Sequence, residues 1–333
     1  MQIAHTRASK GFGIPKPGRF AKRIRPYEES SVVDIGLLGV PCDLGVKQGG
    51  GRPGTALGPD AIREVLSHYG TDYNTERDVD LSALKIADFG NLICDENSLK
   101  NTHQKLSEAV VQIVGLGAIP LMFGGSHDLS FAALRGLAAV KKAPFGGITL
   151  DAHFDVRAVK NDCITSGTPF WNMLENIDEI QGEHFVEIGI NGLINAQEHF
   201  EYLSKKQSRI FFLNEVRRLG MNKVMEKALQ IAAHETEYLF FSIDLDAIAE
   251  AYAPGVSAPS PEGLKPEEAT SAAYLAGLHE KTAYFDLMEL NPLFDDDSKT
   301  ARLAAALVLH FACGVAQRKT VPEKIMGFRQ GSP

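Results

Sequence analysis

The chain is short of several things, and each shortage removes a class of explanation. Its 333 residues hold four cysteines, Cys42, Cys94, Cys163 and Cys313, with no Cys-x-x-Cys spacing. A disulfide framework or a thiolate zinc site needs such clustering, so free, mostly buried thiols in a reducing compartment are expected instead. Cationic charge is short too: the net charge is −8. Nucleic acid as a main partner needs a basic face to meet its phosphates, and none is expected. No apolar run reaches membrane-spanning length and no signal-peptide core opens the chain, which leads to the expectation of a cytoplasmic protein with no membrane partner. Low-complexity linkers and internal repeats are missing, so a single catalytic-size domain is expected over 31–320, followed by a tail at 321–333.

What is present suits a sizeable core: 44% hydrophobic and 23% charged residues. The first segment departs from the acidic average. Residues 1–26 carry Arg7, Lys10, Lys16, Arg19, Lys22, Arg23 and Arg25 and no acid. Gly11, Gly13, Pro15, Pro17 and Gly18 would break an amphipathic targeting helix, so residues 1–30 read as a basic arm packing on the body or on a neighbouring subunit.

Beyond the arm, short β-rich runs alternate with helical patterns. Val32–Leu38, Leu84–Asp88, Ile119–Phe123, Gly147–Leu150, Phe185–Ile190, Ile210–Leu213, Tyr238–Ile243 and Ala283–Leu287 read as strands. Pro59–Ser67, Leu99–Leu116, Leu129–Val140, Asn222–Ala233, Pro266–Leu278 and Ser298–Val315 read as helices, with Ser298 as an N-cap. The alternation predicts an α/β fold: one parallel eight-stranded sheet flanked by helices. In such sheets ligands sit beyond the carboxyl ends of the strands.

The polar clusters fall there. Gly124-Gly125-Ser126-His127-Asp128 follows one strand and Asp151-Ala152-His153-Phe154-Asp155 another; Asp244-Leu245-Asp246 follows a third and Met288-Glu289-Leu290-Asn291-Pro292 a fourth. Ligand-type residues two apart project to one side of an extended backbone. Carboxylates crowded in this way repel, and a divalent cation removes the cost. Asp151, Asp155, Asp244 and Asp246 balance the charge of two divalent ions and exceed that of one, while His127 and His153 add neutral nitrogens. Oxygen ligands with some imidazole suit manganese; cobalt, nickel and iron are alternatives. Glu289 reads as a further metal-site acid, a substrate anchor or a turn acid. Gly49-Gly50-Gly51-Arg52-Pro53-Gly54 fits neither a P-loop nor a dinucleotide fingerprint, and reads as a tight loop beside the site.

Together with Gly49–Arg63, these segments resemble the ureohydrolase family of arginases, agmatinases and formimidoylglutamases, from about Gly36 to Gly314. The resemblance implies the arginase/deacetylase-like fold, assembly into homo-trimers or hexamers, and two metals. The first would take His127, Asp151, Asp155 and Asp244, and the second Asp151, His153, Asp244 and Asp246, with Asp151 and Asp244 bridging. A metal-bridging hydroxide would attack a linear amidine or guanidine, Glu289 would pair with its cationic N–C–N group, and Asp246 would carry a proton to the leaving nitrogen. Phe170 stands near where arginases carry a histidine, and Asp-Ala-His-Phe-Asp-Val-Arg with Ser-Gly-Thr-Pro-Phe looks like formimidoylglutamase, which cleaves N-formimidoyl-L-glutamate to glutamate and formamide in histidine breakdown. Such a small-molecule substrate carries two carboxylates. Arg157 is a candidate partner for one of them and Asn191 a candidate contact to the amino-acid end; a surface arginine is the alternative for Arg157. Rival functions are hydrolysis of agmatine, arginine or a guanidino acid with release of urea, a single-metal deacetylase, and a non-catalytic metal-binding or assembly protein on the same fold.

Overall fold

The computed structural model describes residues 3–13, 15–29 and 31–320, so the tail at 321–333 lies outside the described residues. Among these residues twelve strands occur in order: β1 (Thr6–Arg7), β2 (Ile24–Pro26), β3 (Ile35–Gly39), β4 (Tyr73–Asn74), β5 (Val79–Asp80), β6 (Ile86–Leu92), β7 (Ile119–Phe123), β8 (Phe145–Leu150), β9 (Ile180–Ile190), β10 (Arg209–Phe212), β11 (Tyr238–Asp244) and β12 (Thr282–Met288). The main sheet runs β1-β6-β3-β7-β12-β11-β8-β9-β10, with β2 also on β6, and β4 and β5 form a separate hairpin.

The sheet has ten strands rather than the expected eight. All eight predicted strands are present and run parallel to one another. The extra two come from the basic arm. β1 pairs antiparallel with the C-terminal end of β6, and β2 pairs parallel with its N-terminal half. Between them they cover an edge whose backbone groups would otherwise be open for pairing.

Among the described residues ten α-helices pack around the sheet: α1 (Leu44–Gly49), α2 (Gly58–Leu66), α3 (Leu99–Gly115), α4 (Leu129–Lys141), α5 (Pro169–Asn176), α6 (Gln197–Lys205), α7 (Leu213–Leu219), α8 (Met221–Ala232), α9 (Pro266–Leu278) and α10 (Lys299–Thr320). Strand alternation divides the core in two. Ile148, Leu150, Ile243 and Leu287 face α2, α8, α9 and α10; Phe145, Phe240, Tyr284 and Met288 face α3, α4 and α5. By length and composition α10 is apolar enough to cross a membrane, contrary to the sequence reading. Its Ala304, Leu307, Val308 and Phe311 are fully buried in the first core, as in a core helix.

Two local expectations differ. Leu213 opens α7 instead of closing a strand. Ser298 sits at the start of α10 with a left-handed backbone (φ 55°), but the free N–H groups of Thr300 and Ala301 are capped by Asp295 at 2.8 and 3.0 Å. A carboxylate satisfies two such donors and also complements the positive end of the helix.

Candidate metal centre

The parallel sheet brings the four polar segments to one end. β7 leads into the loop carrying His127, β8 into Asp151, His153 and Asp155, β11 ends at Asp244, and β12 leads to Glu289. The glycines before His127 have a steric reason: a Cβ on Gly125 would run into the Cys42 carbonyl. Asp155 and Glu289 both hold left-handed backbone, φ 49° and 68°. For a glutamate this is uncommon, and such strain persists where a site demands a side-chain direction.

One ligand atom each from His127, Asp151, Asp155 and Asp244 lies within 4.8 Å of the others, and Asp151, His153 and Asp246 form a second such group. Asp151 belongs to both. Asp244, whose Oδ1 accepts the Asp246 N–H at 2.9 Å, falls in the first group alone. The six residues singled out as ligands therefore converge.

The cluster fits divalent cations by what it lacks. Around His127 Nδ1 stand carboxylate oxygens of Asp155 at 2.9 Å, Asp244 at 3.1 Å and Asp151 at 3.3 Å. These are hydrogen-bond lengths without hydrogen-bond geometry, and Nδ1 has no such partner; nor do Asp151 Oδ2 and Asp246 Oδ1, all fully buried atoms. A lone pair and several anionic oxygens aimed at one another describe a coordination sphere. The electrostatics agree. Burial, then the charges of Asp246 and Asp151, push the Asp244 carboxyl well up; burial also raises Asp246, against the pull of His153. The Asp246 charge is the main reason His153 is pushed up to about 12. Burial opposes a charge on His127, but Asp151, Asp155 and Asp244 overcome it and raise it. Acids and histidines alike are asking for positive charge.

Glu289 stands beside this cluster, fully buried. Its Oε1 accepts the His127 N–H at 2.7 Å and its Oε2 has no partner in hydrogen-bond geometry; burial raises its carboxyl to about 8, against the opposing pull of the Ser257 hydroxyl and the His127 N–H. Phe170 is buried, its ring edge-on to His127 with centroids 5.2 Å apart. The glycine loop is held beside the site: Arg52 donates to the Pro254 and Val256 carbonyls at 3.1 and 2.6 Å, and Asn291 donates to the carbonyls of Arg52 and Pro53. At Gly54 (φ 132°) a Cβ would collide with Asn291 Oδ1.

The two substrate candidates sit less directly. Arg157 is exposed, and a Cβ on Gly167 would lie 3.4 Å from its Cζ. It lines a cavity with Lys160, Trp171, His199 and Tyr202 whose walls include none of the six ligands. Asn191 Oδ1 accepts the Leu193 N–H at 3.1 Å, which leaves its amide nitrogen for another partner.

Sequence reading missed residues that hold the site from behind. Asn195 accepts from Phe154 N–H at 2.9 Å and donates to the Ala152 carbonyl at 2.8 Å, clamping the Asp-Ala-His loop. His103 and Ser126 bind the buried Asp128 carboxylate. Asp286 and Glu187 lie wholly buried inside strands. A charged residue within an apolar β-run is the signal that marks these two.

The match with known proteins covers most of the chain. The arginase family model matches residues 33–314. A formimidoylglutamase of Staphylococcus aureus is 32% identical over 288 residues, 85% of this chain and 88% of that protein. The structure of Trypanosoma cruzi formiminoglutamase with Mn2+2 superposes with a TM-score of 0.82 at 33% identity, covering 88% of this chain and 97% of that one. Formimidoylglutamase from Bacillus subtilis gives a TM-score of 0.83 at 25% identity, over 88% and 90% of the two chains. With the fold, the converged ligand set and these matches in agreement, the chain belongs to the arginase family of hydrolases that act on amidine C–N bonds.

Proposed function

We propose that the chain hydrolyses N-formimidoyl-L-glutamate to L-glutamate and formamide with a pair of Mn2+ ions. The observation that carries this reading is Glu289: a fully buried carboxylate with one unpartnered oxygen beside the ligand cluster. An amidinium is planar and cationic, and offers paired N–H donors to such a group. The names of the similar proteins point to the same substrate.

His127, Asp151, Asp155 and Asp244 would hold one ion and Asp151, His153 and Asp246 the other, so that Asp151 serves both groups. When bound, the ions supply Lewis acidity and lower the pKa of a water to make a nucleophile at neutral pH. The protein's own part follows from its geometry. Glu289 binds the amidinium edge and fixes the carbon facing the ligand cluster. Asp246 takes the proton from the attacking water and returns it to the glutamate nitrogen as the C–N bond breaks. Phe170 fills space beside His127 without a titratable group. Arg157 and the Asn191 amide nitrogen take the substrate's carboxylates and amino-acid end, Arg157 swinging from its cavity to do so. The subunits associate as a homo-trimer or hexamer, a reading that rests on membership of the family. Four free cysteines fit a reducing, cytoplasmic setting.

A panel assay tests this. Manganese-loaded protein is given formimidoylglutamate, arginine, agmatine and guanidino acids, with formamide and urea scored separately. Formamide from formimidoylglutamate is expected; urea as the main product would move the substrate to a guanidino compound. Arg157→Met is expected to raise KM with little change in kcat, and an unchanged KM would remove Arg157 from the substrate site.

A further inference from the structure

His127 faces a requirement that its three carboxylate neighbours do not meet. A neutral imidazole carries one proton, and a metal bound at Nδ1 needs that proton on Nε2. Nε2 is buried, so its N–H must find an acceptor or the tautomer is lost.

Nε2 lies 3.0 Å from Ser242 Oγ. A hydroxyl alone does not settle the matter, because it donates as readily as it accepts. If Ser242 donated to Nε2, the imidazole proton would move to Nδ1, where it would point at the cation. Asp286 removes that option. Its Oδ1 accepts the Ser242 hydroxyl at 2.6 Å, leaving only lone pairs for His127. The other carboxylate oxygen accepts Ser130 Oγ at 2.7 Å and the Tyr284 hydroxyl at 2.8 Å. Asp286, Ser242 and Ser130 are all fully buried.

The sheet fixes this chain of contacts. Ser242 on β11 and Asp286 on β12 are paired residues in adjacent parallel strands, so neighbouring strands set their separation. Ser130 lies in the first turn of α4, three residues after His127, so one carboxylate braces the imidazole through Ser242 and also pins the turn that follows it.

We propose that Asp286 is a positioning residue which, through Ser242, sets the tautomer and ring angle of His127 for metal binding. The proposal rests on His127 being a ligand. It adds a dependence on a residue that touches neither metal nor substrate.

Calorimetric titration of Mn2+ into the metal-free full chain tests it without substrate. Ser242→Ala and Asp286→Ala are each expected to weaken one of two Mn2+ sites about 10–100-fold. Asp286→Asn, whose amide oxygen still accepts the Ser242 hydroxyl, is expected to recover part of that loss. Because both residues act on one bond, Ser242→Ala with Asp286→Ala should bind no worse than the weaker single variant. Additive losses would overturn the relay, as would wild-type affinity in Ser242→Ala, which also decides the matter should Asp286→Ala fail to fold. Thermal unfolding of the metal-free chains separates positioning from general weakening: Mn2+ affinity lost only in proportion to stability would also overturn it. His127→Ala is the parallel arm. If it still binds two Mn2+ normally, the ligand assignment fails, and with it the site proposed above; if it loses one while Ser242→Ala loses none, the relay alone fails.

Discussion

Two buried polar clusters in this chain draw on the same chemistry and end differently. Around Arg63, which is 1% exposed, every side-chain nitrogen and oxygen has a partner. Its guanidinium makes a two-pronged contact to Asp88 at 2.8 and 3.2 Å and reaches Asn91 Oδ1 at 2.7 Å and the Gly90 carbonyl at 2.9 Å, while Ser9 also donates to Asp88. None of the side-chain atoms of Arg63, Asp88 or Asn91 is left over. Around His127 the count fails: Nδ1 of His127, Oδ2 of Asp151, Oδ1 of Asp246 and Oε2 of Glu289 are buried without partners. A buried polar group costs free energy unless it is paired, so the first cluster is complete as folded and the second awaits a charge from outside. Satisfaction separates a structural cluster from a functional one here; burial and residue type do not.

The largest effect that would sharpen the contrast comes from the shared ligand. Asp151→Asn is expected to lower kcat/KM by at least about 10³-fold, since metal ions contribute several kcal/mol of transition-state stabilisation. Elemental analysis should show fewer than two Mn2+ per chain, and full occupancy with full activity would dissolve the distinction. Arg63→Met is the opposite case. Leaving Asp88 buried and unpaired is expected to cost about 3–5 kcal/mol in denaturant unfolding. Its folded fraction should keep its Mn2+ stoichiometry, and a loss of metal there would show the clusters to be coupled.

A third effect is a pH dependence that metal should abolish. In the metal-free fold the carboxyls of Asp244 and Asp246 are raised by burial, Glu289 to about 8, and His153 to about 12 through Asp246. Every one of these groups binds its proton more tightly folded than unfolded. The stability these groups contribute is therefore fully present below their unfolded pKa values and is lost as pH rises, through about 8 for Glu289 and on toward 12 for His153. Metal-free protein should melt lower at pH 9 than at pH 6, and Mn2+ should raise the melting point most at pH 9, because binding needs those protons gone. Equal melting points of the metal-free chain at both values would break the account.

How far these features were legible in the sequence follows from how local each one is. Strand runs and the two-residue ligand spacings are properties of a few consecutive residues, and all eight core strands and the converged ligands were readable. Helices α1, α5, α6 and α7 span six to nine residues, too few turns for an apolar period to stand out, and were missed. The two arm strands were hidden because their pairing with β6 lies some sixty to ninety residues away. Asp286 and Glu187 escaped for a related reason: each matters through its cross-strand neighbours, Ser242 and Thr149, and register is invisible along one strand. Arg157 lies two residues past Asp155, yet its side chain lines a cavity without metal ligands; sequence distance does not give direction in an irregular loop.

Glu187 is where the satisfaction criterion is most exposed to failure, and its expected effect is the smallest. Both its carboxylate oxygens are buried and unpartnered, as is the Oγ1 of its β8 neighbour Thr149, yet it belongs to neither ligand group. Burial, reinforced by the charges of Asp151 and Asp155, raises its carboxyl well above the usual range. A neutral carboxylic acid has far less need of a partner than a carboxylate, so Glu187 is expected to keep its proton, where the ligand acids are expected to take a cation. Gln has the same shape and the same neutrality. Glu187→Gln should then retain two Mn2+ and a kcat/KM within about twofold of the parent, as for a volume-conserving change that removes no charge. A loss of one Mn2+ in this variant would mean that Glu187 is ionised in the loaded protein and that the cation cluster extends one strand further than its ligands.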